Sequence, residues 1–175
     1  MAERASAGLS TPPAVTARLI VPGAAQMRLL GARLARLLRR GDLVVLAGSL
    51  GAGKTTLVQG IGAGLGVRGP VTSPTFVIAR VHPSLGRGPD LVHADAYRLG
   101  SRLEVDDLDL DAGLEEAVTV VEWGEGKVER LADAHLTVRL SRHDDDTRTA
   151  VVSGVGDDWA GRLRDVDALA AAGGE

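Results

Sequence analysis

The stretch Gly48-Ser49-Leu50-Gly51-Ala52-Gly53-Lys54-Thr55 constrains this chain more than any other. It fills every fixed position of G-x-x-x-x-G-K-[S/T], a loop whose glycines let successive backbone N–H groups turn inward onto phosphate oxygens. Such a loop needs a buried strand before it and a helix after it. Leu43–Ala47 (LVVLA) is a short, unbroken apolar run, as in a strand buried on both faces. From Lys54 to about Leu65, residues Leu57, Val58, Ile61 and Leu65 recur at helical spacing. With 23 glycines and two lysines in 175 residues, composition alone yields about 0.003 such matches per chain, so coincidence is rejected.

The chemistry of the loop makes Gly48, Ser49, Leu50, Gly51, Ala52, Gly53, Lys54, Thr55 and Thr56 candidate nucleotide-binding residues. The helix N-terminus favours an anion. Lys54 brings a point charge to the β and γ phosphates, and the Thr55 hydroxyl suits magnesium. The Lys54 side chain is expected to be exposed, so that its removal would leave no core cavity. Guanine-specific relatives of this loop read the base with Asn-Lys-x-Asp. The second lysine, Lys127, sits in Gly-Lys-Val-Glu, so ATP is favoured over GTP.

Elsewhere the pattern alternates strands with helices. Thr16–Val21 reads as a strand, 24–40 as a helix stopped by Gly41, Thr75–Val81 and Leu91–Ala94 as strands, and Ala117–Trp123 as a strongly apolar strand. Gly126–Ala132 suggests a short helix. His135–Ser141 and Arg148–Val155 read as an antiparallel hairpin. Asp157 and Asp158 are placed to cap a last helix reaching about Ala172. The expected fold is α/β: a mostly parallel central sheet flanked by helices, with an antiparallel hairpin extension. Residues 1–15 read as a flexible leader and 16–175 as one domain.

Composition narrows the function classes. The apolar fraction of 45% supports a globular core, and the 2% aromatic content means that Leu, Val, Ile and Ala must build it. The absence of cysteine excludes disulfides, thiolate metal sites and a cysteine nucleophile. No apolar run approaches the roughly 18 residues of a membrane span, and the first residues lack a signal peptide's apolar centre, so a cytoplasmic protein without membrane contact is expected. A net charge of -3 argues against direct nucleic-acid binding. The arginines at 28, 33, 36, 39 and 40 read as a solvated helix face rather than an RNA contact.

Magnesium chemistry needs carboxylates at the carboxyl ends of strands beside the loop. Asp95 and Glu122 fit, each with the alternative of a strand-end carboxylate bonded to a loop amide. His93, one residue off the strand face of Asp95, reads as a hydrogen-bonded structural histidine rather than a base. Ser73-Pro74-Thr75-Phe76 is either a switch-like segment whose Ser73 and Thr75 hydroxyls reach the nucleotide, or a turn held by Pro74. The acidic run 104–111 reads as a solvated or partner-facing surface.

Together, GSLGAGKTTLVQG (48–60), SPTF (73–76), HADAYRL (93–99) and Glu122-Trp123 resemble, in order and spacing, the TsaE (YjeE) family of bacterial tRNA threonylcarbamoyladenosine synthesis. The resemblance covers roughly residues 22–150. It implies a magnesium-dependent ATPase that binds ATP or ADP and works with the subunits TsaD and TsaB, meeting tRNA through that complex. It implies that Lys54 and Thr55 hold phosphate and magnesium, with Glu122 the second metal ligand. Asp95 would be the acid of the H-x-D-x-Y motif, Trp123 would pack at the catalytic edge, and Ser73 and Thr75 would form the switch. Ser49 departs from the family's usual aspartate. For the adenine edge, Thr147 and Arg148 in the hairpin loop are the candidates. The main alternative is a small-molecule kinase with the same loop. Its only lid-like arginine is Arg87, in a loop that looks too short. A further alternative is an ATP-occupancy switch with negligible hydrolysis.

Overall fold

The computed structural model describes residues 15–72, 79–97 and 113–164. The leader up to residue 14, SPTF, Arg98, the acidic run 104–111 and the chain beyond 164 lie outside the described residues. In chain order the elements are β1 (Val15–Val21), α1 (Ala24–Ala35), β2 (Leu43–Gly48), α2 (Lys54–Leu65), β3 (Ala79–His82) and β4 (Asp90–Asp95). They are followed by β5 (Ala117–Glu122), β6 (His135–Arg142), β7 (Arg148–Val155) and α3 (Asp157–Arg162).

The strands form one seven-stranded sheet in the order β1-β7-β6-β2-β5-β4-β3. Its centre, β6-β2-β5-β4, is parallel. Antiparallel partners finish each side, β3 on β4 at one edge and β7 then β1 on β6 at the other. The expected α/β class and hairpin extension are therefore borne out. Because the four central strands run the same way, Gly48, Asp95, Glu122 and Arg142 all end at one edge of the sheet.

Leu43 to Ala47 and the whole of β5 are buried, which is why those segments are apolar without alternation. One face of the sheet packs against α1, α2 and α3 through Leu30, Leu34, Leu57, Ile61 and Trp159. The other carries a smaller cluster built on Leu43, Val45, Val121 and Val128. Helices α1 and α2 meet nearly backbone to backbone. A Cβ on Gly31 would strike the Leu57 carbonyl, and one on Gly60 would strike that of Arg28. This close approach seats the helix that follows the phosphate loop.

Three boundaries differ from expectation. Helix α1 stops at Ala35 rather than Arg40. The next residues tighten into i→i+3 turns, with Leu37 and Leu38 amides bonded to Leu34 and Ala35 carbonyls at 2.9 and 3.2 Å. Such turns keep Leu38 buried, so the helical spacing persists after the helix has ended. The 126–132 segment supplies only a 3₁₀ turn, Glu129–Leu131. The described part of the third strand runs from Ala79 to His82. Helix α3 takes Gly156 as its N-cap residue, one position before the expected aspartates, and Asp158 accepts a 3.1 Å bond from Arg162.

Candidate active site

The loop 48–53 joins the end of β2 to the start of α2, and two of its glycines are required there. Gly48 lies so close to β6 that a Cβ would sit 2.5 Å from the Leu140 carbonyl oxygen. Gly53, at φ +105°, precedes the first residue of α2 in a conformation that side chains resist. Leu50 is exposed at the apex of the loop, while Ala52 is buried beneath it.

Lys54 is buried, with 6% of its surface exposed, contrary to the expectation of an exposed side chain. Its Nζ donates to the carbonyls of Gly48 and Ser49, both at 2.8 Å, and lies 3.9 Å from the centre of the Trp123 ring. The physical reason is that loop carbonyls and an indole face together supply a cradle for the ammonium. Burial pushes the Lys54 ammonium below its ordinary value, against the opposing pull of Glu122 and Asp95.

Glu122 ends β5 and is 3% exposed. Thr55 Oγ1 donates to its carboxylate, at 3.1 Å from Oε1 and 3.4 Å from Oε2. His93 Nε2 lies 2.6 Å from Oε2. The carboxylate is thus bracketed by a hydroxyl and an imidazole, and among the described residues it is not bonded to a loop amide. Asp95 pairs with Glu122 across β4 and β5, so the two strand-end carboxylates lie side by side. Asp95 Oδ1 accepts the Tyr97 amide at 2.8 Å, so here a loop amide is indeed bonded. His93 and Asp95 are two residues apart on one strand and share a face, which corrects the expectation that His93 was offset from it.

Trp123 adopts φ +60°, uncommon for a bulky residue. Its amide donates to Leu46 O at 3.0 Å, holding the turn against the end of β2. The ring meets Tyr97 at 4.9 Å between centroids, and Tyr97 is itself exposed. Backbone strain of this kind costs about 1–3 kcal/mol and collects at functional sites. Beside the ring, a cleft of about 370 Å³ is lined by Ala47, Gly48, Ser49, Trp123, Glu125 and Lys127. Lys127 donates to Ala96 O at 2.7 Å, and Glu125 pairs with Arg139.

Two further positions follow from topology. The β6–β7 turn carries Thr147 and Arg148 at the same sheet edge as the loop. Their polar groups bond within the turn, Thr147 to Asp145 at 2.6 Å and Arg148 to the Asp146 carbonyl at 2.5 Å. Arg142, which sequence reasoning missed, comes close to Gly51 and pairs with Asp146. The Arg87 loop, by contrast, leads into Asp90 at the opposite edge, where Arg40 bonds the Arg87 and Gly88 carbonyls. It cannot serve as a lid over the loop. Ser73 and Thr75 lie outside the described residues.

A family model described as "Threonylcarbamoyl adenosine biosynthesis protein TsaE" matches residues 21–150, more than half of the chain. The chain belongs to the TsaE family. It is 62% identical over 149 residues to the tRNA threonylcarbamoyladenosine biosynthesis protein TsaE of Streptomyces coelicolor, a match covering 82% of this chain and 99% of that one. The TsaE of Mycobacterium tuberculosis is 54% identical over 132 residues, 71% of this chain and 79% of the relative. In three dimensions the chain is similar to the crystal structure of YdiB from Bacillus subtilis. The TM-score is 0.71 at 27% identity, covering 88% of this chain and 95% of that one.

The donor set suits magnesium. Among the described residues no group of three His, Cys, Asp or Glu side chains gathers as a cage. Magnesium does not require one, since it takes one or two protein oxygens together with phosphates and water. A buried carboxylate 3.1 Å from a hydroxyl at a helix N-terminus is such a pair. Among the described residues no helix is long and apolar enough to cross a membrane.

Proposed function

We propose that this chain is the magnesium-dependent ATPase subunit for threonylcarbamoyl modification of adenosine in tRNA. In this reading it binds ATP or ADP in the cytoplasm, acts with TsaD and TsaB, and meets tRNA through that complex. Residues 16–175 would form one domain. The observation that carries the reading is the convergence of Lys54, Thr55 and Glu122 at the mouth of the phosphate loop.

In this reading the backbone amides from Gly48 to Thr56 cradle the phosphates, and α2 adds its N-terminal dipole. A phosphate oxygen competes with the Gly48 and Ser49 carbonyls for the Lys54 ammonium. Thr55 and Glu122 would hold magnesium, which would offset the negative charge of the phosphates. Asp95, beside Glu122, provides a second carboxylate at the edge where an attacking water must be oriented. Trp123 packs over the lysine and excludes solvent from it. Ser73 and Thr75 are assigned the switch role, and Thr147 and Arg148 the adenine edge.

Equilibrium binding tests the reading. ATP with magnesium should raise the melting temperature of the chain, and GTP should do so less. Equal stabilisation by the two nucleotides would contradict the base preference, and none by either would contradict the site.

A further inference from the structure

Among the groups around Glu122, the one without an assigned task is His93. It is wholly buried, and its Nε2 lies 2.6 Å from Glu122 Oε2. Its Nδ1 is also buried and, among the described residues, has no hydrogen-bond partner. A carboxylate can only accept, so the ring proton belongs on Nε2. Nδ1 is then a bare lone pair, and leaving that unpaired is less costly than orphaning an N–H. The burial pattern therefore selects one tautomer, the one aimed at the carboxylate.

The Thr55 hydroxyl also donates to Glu122, and its lone pairs stay free to face a metal, so its single rotatable O–H orients the carboxylate only through one long bond of 3.1 Å. The His93 bond is shorter, 2.6 Å, and both ring and carboxylate are fixed by neighbouring strands in register, His93 opposite Val120 and Asp95 opposite Glu122. We infer that His93 is a positioning residue, whose Nε2–H pins Glu122 Oε2 and thereby presents Oε1 toward Thr55 and the metal position. This rests on the proposal that Glu122 ligates magnesium. Partners that orient a metal-bound carboxylate are worth about 10- to 100-fold in metal affinity or activity.

The experiment compares wild type, His93→Gln and His93→Leu, each confirmed folded by circular dichroism. Calorimetry measures ADP binding in EDTA and then across a magnesium titration. His93→Leu should leave ADP affinity in EDTA unchanged and raise half-saturating magnesium about tenfold or more. His93→Gln, which keeps an N–H donor, should recover most of the loss. Should His93→Leu fail to fold, His93→Asn, polar but shorter, takes its place. A leucine or asparagine variant that binds magnesium like wild type overturns the assignment. Nitrogen-15 imidazole spectra of the wild type supply an independent readout, and an Nδ1–H tautomer for His93 would overturn it too. If wild type binds no nucleotide, the ATPase reading fails, while the spectra still decide the His93–Glu122 bond.

Discussion

Lys54 and Trp123 are held together at the end of the phosphate loop, the ammonium 3.9 Å from the centre of the indole ring. The lysine meant for phosphate is therefore also part of the local packing. Removing it affects two properties. Lys54→Ala should abolish the thermal shift with ATP, which in wild type amounts to about 2.7 kcal/mol at a hundred times the dissociation constant. It should also lower stability without ligand by about 1–2 kcal/mol, because a buried stem and its carbonyl contacts are lost. Differential scanning fluorimetry with and without ATP checks both, and an unchanged ATP shift would refute the phosphate role.

Glu122→Gln keeps the shape of the side chain and removes its charge. Nucleotide binding should survive, while hydrolysis falls on the order of 100-fold. Steady-state phosphate release over a magnesium titration is the measurement. Wild-type turnover in the variant would make Glu122 a purely structural carboxylate.

Position 123 offers a reversal of the usual order of substitutions. At φ +60° an alanine retains the backbone strain, whereas a glycine relieves it. Trp123→Ala and Trp123→Gly both lose the contacts with Tyr97 and Lys54 and should both turn over slowly. Trp123→Gly should nevertheless be the more stable of the two by about 1 kcal/mol. Chemical denaturation of the pair checks this, and a less stable glycine variant would contradict the strain.

The buried Lys54 ammonium also fixes a sign for pH. Burial holds its value below the ordinary 10.5, and a bound phosphate acts in the opposite direction. Binding then takes up a proton between the two values, so ATP affinity falls as pH rises through that alkaline window. Calorimetry in buffers of different ionisation enthalpy reads the uptake. Proton release there would contradict the account.

Much of the site could be read from local spacing. The phosphate loop is contiguous, and Glu122 announces itself as a carboxylate ending an apolar run. The Glu122–His93 pair could not be read that way, because it depends on β4 lying in register beside β5. Period-two alternation alone would have put His93 on the face of Asp95. The buried position of Lys54 was hidden for another reason: it depends on the backbone of Trp123, whose positive φ no propensity foretells. In the fold, the apolar runs marked the central strands, but nothing local says that β1 pairs with β7 or that β6 joins β2. The Gly31–Gly60 contact resembled ordinary glycine-rich composition until two helices were seen to cross there.

The ATPase reading is tested most directly by turnover with and without its partners. Phosphoryl transfer needs a cation at the γ-phosphate beyond the loop lysine, and lacking one can reduce the rate about 10³-fold or more. Arg142 reaches the loop at Gly51 but is paired with Asp146. ATP hydrolysis should be measured for the purified chain alone and then with TsaB and TsaD, at the same magnesium and salt. The account predicts turnover alone far below the ~10 s⁻¹ common among enzymes, rising when the partners are added. Turnover near ~10 s⁻¹ alone, unchanged by TsaB and TsaD, would contradict it.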